Sequence, residues 1–225
     1  MELSALVYSF FNAEVAARYW PDIVSGFIVT TYLGAAVVVA GLAAGLALAM
    51  VRTFHFRPLN FLIVVYADAL RALPPLVVII VLFFAFPYVD LAMSAFTATW
   101  LALSMVLAAF SEEIFWAGIL AVPKGQTEAA RSTGMSRLQT LSFVILPQAV
   151  RLTIPPLTNR MIAITKNTAL GSVVAVHEIL YHASSGSSLA GNPTPLTLGA
   201  LAYLVLFLPV VIASRWVETR FAWKR

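Results

Sequence analysis

The chain alternates long stretches free of Asp, Glu, Lys and Arg with short segments that hold most of its charge. The uncharged stretches run 23–51, 72–89, 91–111 and 179–214. A helix needs about 20 mostly apolar residues to cross the hydrocarbon core of a bilayer. The first stretch predicts one helix over 23–50. The second predicts a helix that opens at Pro74-Pro75, a favoured helix start, and ends near Pro87. The third begins near Phe96 and runs past Glu112 and Glu113 toward Pro123. Residues 179–214 are too long for one span. Ser184-Ser185-Gly186-Ser187-Ser188 and Gly191-Asn192-Pro193 carry turn chemistry, which leaves one helix over 195–214. A further helix is needed between Pro147 and Tyr181, with Arg151, Arg160 and Lys166 interrupting it and Pro155-Pro156 breaking its start. The expectation is an all-α integral membrane protein of five spans. Residues 1–22 carry Tyr8, Phe10, Phe11, Tyr19 and Trp20 among a few charges and read as an N-terminal interfacial segment. They show neither a basic leader nor a small-residue cleavage site, so no signal peptide is expected. Residues 23–220 form the transmembrane domain, with a cytoplasmic loop at 123–150.

Composition agrees. The 225 residues are 61% hydrophobic and 11% charged, with a mean hydropathy of +0.91. A soluble domain is about 45–50% apolar and about 25% charged, so a water-soluble globule and a disordered chain are both excluded. The absence of Cys removes disulfides, thiol catalysis and Cys-based metal sites. The net charge of +4 points to anionic lipid rather than nucleic acid, because of where the charge lies. Segments 52–71, 124–151 and 215–225 hold 11 of the 14 basic residues, and the alternate segments hold only Arg18. With five spans, the positive-inside rule puts the N-terminus outside and the C-terminus in the cytoplasm.

Several chemistries are missing. No GxxxxGK[ST] phosphate loop occurs, so ATP is not bound by that route. His177 and His182 flank Glu178 in a zinc-protease-like run, but they stand at i and i+5, about 140° apart on a helix rather than on one face. They read as interfacial histidines at the outer end of a helix. No catalytic residues and no metal ligands are assigned.

The loop 123–150 has internal order. Gln126 to Ser132 favours a helix, and Gly134 suits the left-handed residue that ends one. Ser136 with Gln139 forms a capping box for a second helix, and Pro147 marks the next turn. A helix showing Ala129 and Ala130 beside Glu128 and Arg131 offers a small docking surface with charges at its edge. The alternative is a solvated helix–turn–helix connector.

Glu128-Ala129-Ala130, three residues, Gly134, nine residues, Val144, one residue and Leu146-Pro147 resemble the EAA loop of ABC-importer permeases, with Val144 in place of the family's Ile. Ala121-Val122-Pro123-Lys124-Gly125-Gln126, Glu113-Ile114-Phe115 and Ile164-Thr165-Lys166-Asn167-Thr168-Ala169-Leu170 resemble the polar amino-acid branch of that family. Arg71-Ala72-Leu73-Pro74-Pro75-Leu76 resembles the branch's Arg-Gly-Thr-Pro-Leu, with Ala72 and Leu73 departing from it. The likeness covers about residues 23–220. It implies a type I permease fold in the inner membrane of a bacterium. It also implies a second permease subunit, identical or paralogous, and a cytoplasmic ATPase dimer that holds ATP and Mg and receives the loops. An extracytoplasmic binding protein would deliver substrate. The expected role is that of a transport subunit for a polar amino acid, with no cofactor on this chain. An opine or ectoine-type zwitterion is the alternative substrate. A stand-alone carrier or channel is a further alternative, although no internal repeat supports it.

Charges within a membrane cost about 2.5–3.5 kcal/mol each by insertion scales and mark function by default. Glu112 and Glu113 lie in the third span, Lys166, Asn167 and Thr168 in the fourth, and Arg71 at the start of the second. Glu113 and Lys166 offer opposite charges to a zwitterion, with Arg71, Asn167 and Thr168 completing a candidate pathway. Alternatively Lys166 pairs with Glu112 or Glu113 to knit helices together, or reaches for an interface. Phe115 and Trp116 read as packing or belt residues. Gly34, Gly41 and Gly45 share one helix face and read as a close-packing surface.

Overall fold

A computed structural model describes residues 8–221. Every regular element among them is helical. In chain order these are α1 (Ala13–Arg52), α2 (Arg57–Ala72), α3 (Pro75–Ile80), α4 (Ala95–Ala121), α5 (Lys124–Ser132), α6 (Arg137–Gln139), α7 (Leu146–Lys166), α8 (Ile179–Ala190) and α9 (Thr194–Phe221). α3 continues through a π turn, Val81–Ala85, and a 3-10 turn, Phe86–Val89. A π turn, Thr140–Ile145, joins α6 to α7, and a 3-10 segment, Asn167–Val174, follows α7. Four helical runs are long and apolar enough to span a membrane: 8–52, 95–121, 137–174 and 194–217. The pair α2 and α3, bent by 106°, supplies a fifth.

Three helix boundaries differ from expectation, each for a local reason. α1 begins at Ala13, so residues 13–22 are its first turns and Pro21 lies inside it. Asn12 starts it, its Oδ1 accepting from the Glu14 and Val15 amides at 3.0 and 3.1 Å. The second span reaches back to Arg57 and bends at Leu73-Pro74. A residue before proline is pushed out of the helical region. Leu73 and Pro74 both precede a proline, and both are extended, with ψ of 137° and 133°. Pro155 and Pro156 do not break the fourth span but sit inside α7. Threonine hydroxyls on either side bond nearby carbonyls, Thr153 to Val150 O at 3.0 Å and Thr158 to Ile154 O at 2.8 Å.

A fourth departure is the serine-rich run. It is helical, within α8, and only Gly191 makes the expected turn, with φ of 59°. Glu178 caps α8 by accepting from the Tyr181 amide at 2.7 Å. Gly186 lies where a methyl would meet the Tyr19 ring and Pro195.

The chain divides into two compact units. The first comprises residues 1–38, 74–103 and 162–211, and the second 39–73, 104–161 and 212–225. The second unit is built on close helix contacts. A side chain at Gly41 would come within 2.7 Å of Leu107, and one at Gly45 within 2.9 Å of the Ala108 carbonyl oxygen. The expected small-residue face is therefore a packing face inside this chain at both positions. Ala49, Phe115 and Leu157 form one buried cluster there, and Val122, Leu141, Ile145 and Ala149 another. In the first unit Gly26 lies against the Glu178 backbone, and Thr30 Oγ1 accepts from the Ile179 amide at 3.2 Å.

Candidate functional site

The loop between α4 and α7 is fixed at both of its breaks. α5 ends in a paired-bond cap: the Met135 amide donates to Ala130 O and the Gly134 amide to Arg131 O, with Gly134 at φ +89°. α6 starts with the predicted capping box. The Ser136 hydroxyl accepts from the Gln139 amide at 3.2 Å, and the Gln139 side chain accepts from the Ser136 amide at 2.8 Å. Glu128 and Ala129 are exposed on α5. Ala130 is not part of that surface. It is only 8% exposed, because the next step around the helix turns it toward the π turn against which α5 packs. Val144 and Leu146 pack against the Val122–Leu141–Ile145–Ala149 cluster, so they anchor the loop from beneath. Pro147 is exposed near the start of α7. A proline ring crowds the carbonyl four residues back, and the widened π turn ahead of Pro147 gives it room.

The two acids of the third span are paired with arginines. Arg52 Nη1 donates to both Glu112 carboxylate oxygens, at 3.0 and 3.3 Å, and Glu112 is fully buried. The Arg52 guanidinium also lies 4.7 Å from the Trp116 ring centre. Phe115 is buried as expected. Arg71 Nη1 lies 3.1 Å from Glu113 and 3.7 Å from Asp68. Arg71 and Glu113, both named in the candidate pathway, are thus brought together. Arg160 stacks on Phe110 at 3.7 Å, with Arg71 5.7 Å from the same ring. Arg160 was not among the expected pathway residues. Its signal was available, since it is a cation within an apolar span.

Lys166, Asn167 and Thr168 belong to the first unit, where α7 tightens into its 3-10 continuation. Lys166 lines a recess of about 470 Å³ with Ala169, Ala200, Tyr203, Leu204, Phe207 and Leu208. Asn167 is half-buried. Thr168 is fully buried, and its hydroxyl donates to Thr165 O at 2.7 Å. The acids of the third span take arginines, and none of the ion pairs among the described residues includes Lys166. A second buried acid was read in the sequence only within the zinc-protease-like run. Glu178 is fully buried and accepts a short hydrogen bond from the Tyr203 hydroxyl, which itself accepts from the Leu180 amide at 3.2 Å. His177 stacks on Tyr181 at 4.4 Å and meets His182 edge-on at 5.7 Å.

Known proteins resemble this chain in sequence and fold. Residues 38–223 match the family described as binding-protein-dependent transport system inner membrane component. A probable glutamine ABC transporter permease protein of Bacillus subtilis (strain 168) is 37% identical over 193 residues, covering 84% of this chain and 89% of the relative. The glutamine transport system permease protein of Escherichia coli (strain K12) is 31% identical over 209 residues, covering 89% and 94%. Among solved structures, the crystal structure of an amino acid ABC transporter with histidines superposes with a TM-score of 0.81 at 31% identity, covering 91% of this chain and 96% of that one. The methionine ABC transporter MetNI, in an inward-facing conformation, shares the fold with a TM-score of 0.66 at 16% identity, covering 99% and 100%. The chain belongs to the binding-protein-dependent transport system inner membrane component family, as a multi-pass inner-membrane permease subunit with the type I ABC-importer fold rather than an enzyme.

Proposed function

We propose that this chain is the transmembrane subunit of an ATP-driven importer for a polar amino acid. It works with a second permease subunit, a cytoplasmic ATPase dimer that carries ATP and Mg, and an extracytoplasmic binding protein. The observation that carries this reading is the loop at 123–150. Its short helix presents Glu128 and Ala129 outward, is stopped by Gly134 at positive φ, and is anchored through Val144 and Leu146 to the buried ends of α4 and α7. A mere connector between two spans needs no such fixation. A rigid exposed helix on a chain without a phosphate loop suits the transfer of motion from a separate ATPase. The basic asymmetry supports an orientation with this loop and the C-terminus in the cytoplasm and the N-terminus outside. For substrate, Lys166 in its apolar recess offers an ammonium to a carboxylate, with Asn167 beside it. Arg71, Glu113 and Arg160 form a second polar group. Names of relatives at 29–38% identity over most of the chain include glutamine, arginine and L-cystine transport, which supports a polar amino acid.

The test is reconstitution. The permease is co-expressed with a candidate ATPase and binding protein from the same organism, purified through a tag on the permease, and placed in liposomes. The expected result is co-purification of the ATPase and ATP hydrolysis stimulated by binding protein loaded with one amino acid from a panel, with uptake of that amino acid. Uptake that proceeds without ATPase would overturn the reading.

A further inference from the structure

We infer that a recess beneath the docking helix is a binding site for the phosphate group of an anionic phospholipid. The recess has a volume of about 470 Å³ and lies wholly within the second unit. One wall is the corner between α1 and α2, with Thr53, Phe54 and His55. The opposite wall is the docking loop, with Thr127 and Arg131 on α5 and Arg137 opening α6. Ile119, Val122, Leu141 and Ile145 make an apolar floor.

Three observations point to the ligand. The lining contains two guanidinium groups and no carboxylate, and neither Arg131 nor Arg137 is in an ion pair among the described residues. Arg131 gives one donor to the Met135 carbonyl, which holds its side chain in place and leaves four of its N–H donors for a ligand. Planar guanidinium groups match phosphate oxygens in pairs of parallel bonds. Second, Thr140 lines the recess, is only 3% exposed, and has a buried hydroxyl with no hydrogen-bond partner. A buried hydroxyl left alone is costly, and a phosphate oxygen would satisfy it. Third, the apolar floor and the exposed Phe54, Leu138 and Phe143 around the loop place the recess where a headgroup meets hydrocarbon. A free anion gains nothing from those surfaces, whereas the glycerol and first methylenes of a lipid do. The inner leaflet supplies anionic lipid next to basic loops, and only this choice of leaflet rests on the orientation proposed above.

The consequence is mechanical. Arg131 and Arg137 flank Gly134, which ends the docking helix, while His55 and Thr53 belong to the helix corner. A phosphate held between them braces the docking helix against the transmembrane helices.

Native mass spectrometry of the purified permease in mild detergent tests the site without needing transport or the ATPase. The probes are dioleoyl phosphatidylglycerol, dioleoyl phosphatidylcholine and inorganic phosphate. One phosphatidylglycerol per chain is expected to survive activation that strips phosphatidylcholine. Arg131→Gln with Arg137→Gln should lower its retention about tenfold or more, as for loss of charge-assisted bonds. Thr140→Val should lower it about threefold to tenfold, and Arg137→Lys less than Arg137→Gln. Equal retention of both lipids overturns the site, as does an unchanged double variant that still elutes as the native protein does. Retention of inorganic phosphate without phosphatidylglycerol overturns the lipid as its source.

Discussion

Replacing Arg52 by Met tests whether the buried acid of the third span is held by one cation. Glu112 is fully buried and receives two hydrogen bonds from Arg52, whose side chain is 17% exposed. The alternative cation, Arg71, is already taken by Glu113 at 3.1 Å. Arg52→Met therefore strands a carboxylate, at a cost of about 3–5 kcal/mol for breaking a buried pair from one side. It also removes the stacking on Trp116, worth about 0.5–2 kcal/mol. Glu112→Gln should cost less, because Arg52 keeps its partial exposure and Trp116. The double change Arg52→Met with Glu112→Gln removes both charges, and such replacements are often close to neutral. For a chain of this size, 1 kcal/mol moves the unfolding midpoint by about 2–4 °C. The Arg52 single variant should therefore melt on the order of 10 °C lower, and the double variant should recover most of that loss. Membrane abundance and thermal unfolding in detergent, followed by tryptophan fluorescence, read both effects. If the double variant is no more stable than Arg52→Met, the pair does not work as argued.

Three further outcomes follow from named geometry. Gly134→Val should leave the permease inserted but weaken ATPase coupling: nothing surrounds its Cβ position, so the φ of +89° is the whole penalty, about 1–3 kcal/mol. Gly134→Asn should be milder, and equal transport-coupled ATP hydrolysis in both variants and the native protein would show that the loop end tolerates any residue. Gly45→Leu should sharply lower membrane abundance, since its first carbon already meets the Ala108 carbonyl at 2.9 Å; an abundance equal to the native level would mean that α1 and α4 are not held at that contact. Lys166→Met should keep co-purification with the ATPase and basal hydrolysis while abolishing uptake, and normal uptake would remove Lys166 from the substrate pathway.

Local interactions were legible in the sequence, and pairings across the chain were not. The cap at Gly134, the box at Ser136 and Gln139, and the apolar spans each depend on residues a few positions apart, so their types in order suffice to read them. Pro155-Pro156 and the serine run misled for the same reason. Their local preferences favour a break, but both prolines are carried inside α7, and α8 is capped by a glutamate and packed through Gly186 onto Tyr19. Ala130 was misplaced by one helical step, because residue types alone do not say which face of a short helix turns inward. The charges were found, yet their partners were not. Arg52 and Glu112 are 60 residues apart and Arg71 and Glu113 are 42 apart, and any of several cations could have balanced either acid before the helices were packed. That difference bears on function. The exposed helix proposed to dock the ATPase is coded locally, so it can be recognised in an isolated sequence, whereas the balance of charge in the membrane belongs to the packed bundle. Lys166 gains its meaning from what the pairings leave over. With Glu112 and Glu113 satisfied by arginines of their own unit, and Glu178 by the Tyr203 hydroxyl and the Tyr181 amide, these acids all have other partners, and the carboxylate of the proposed amino-acid substrate is the partner that the Lys166→Met uptake assay tests.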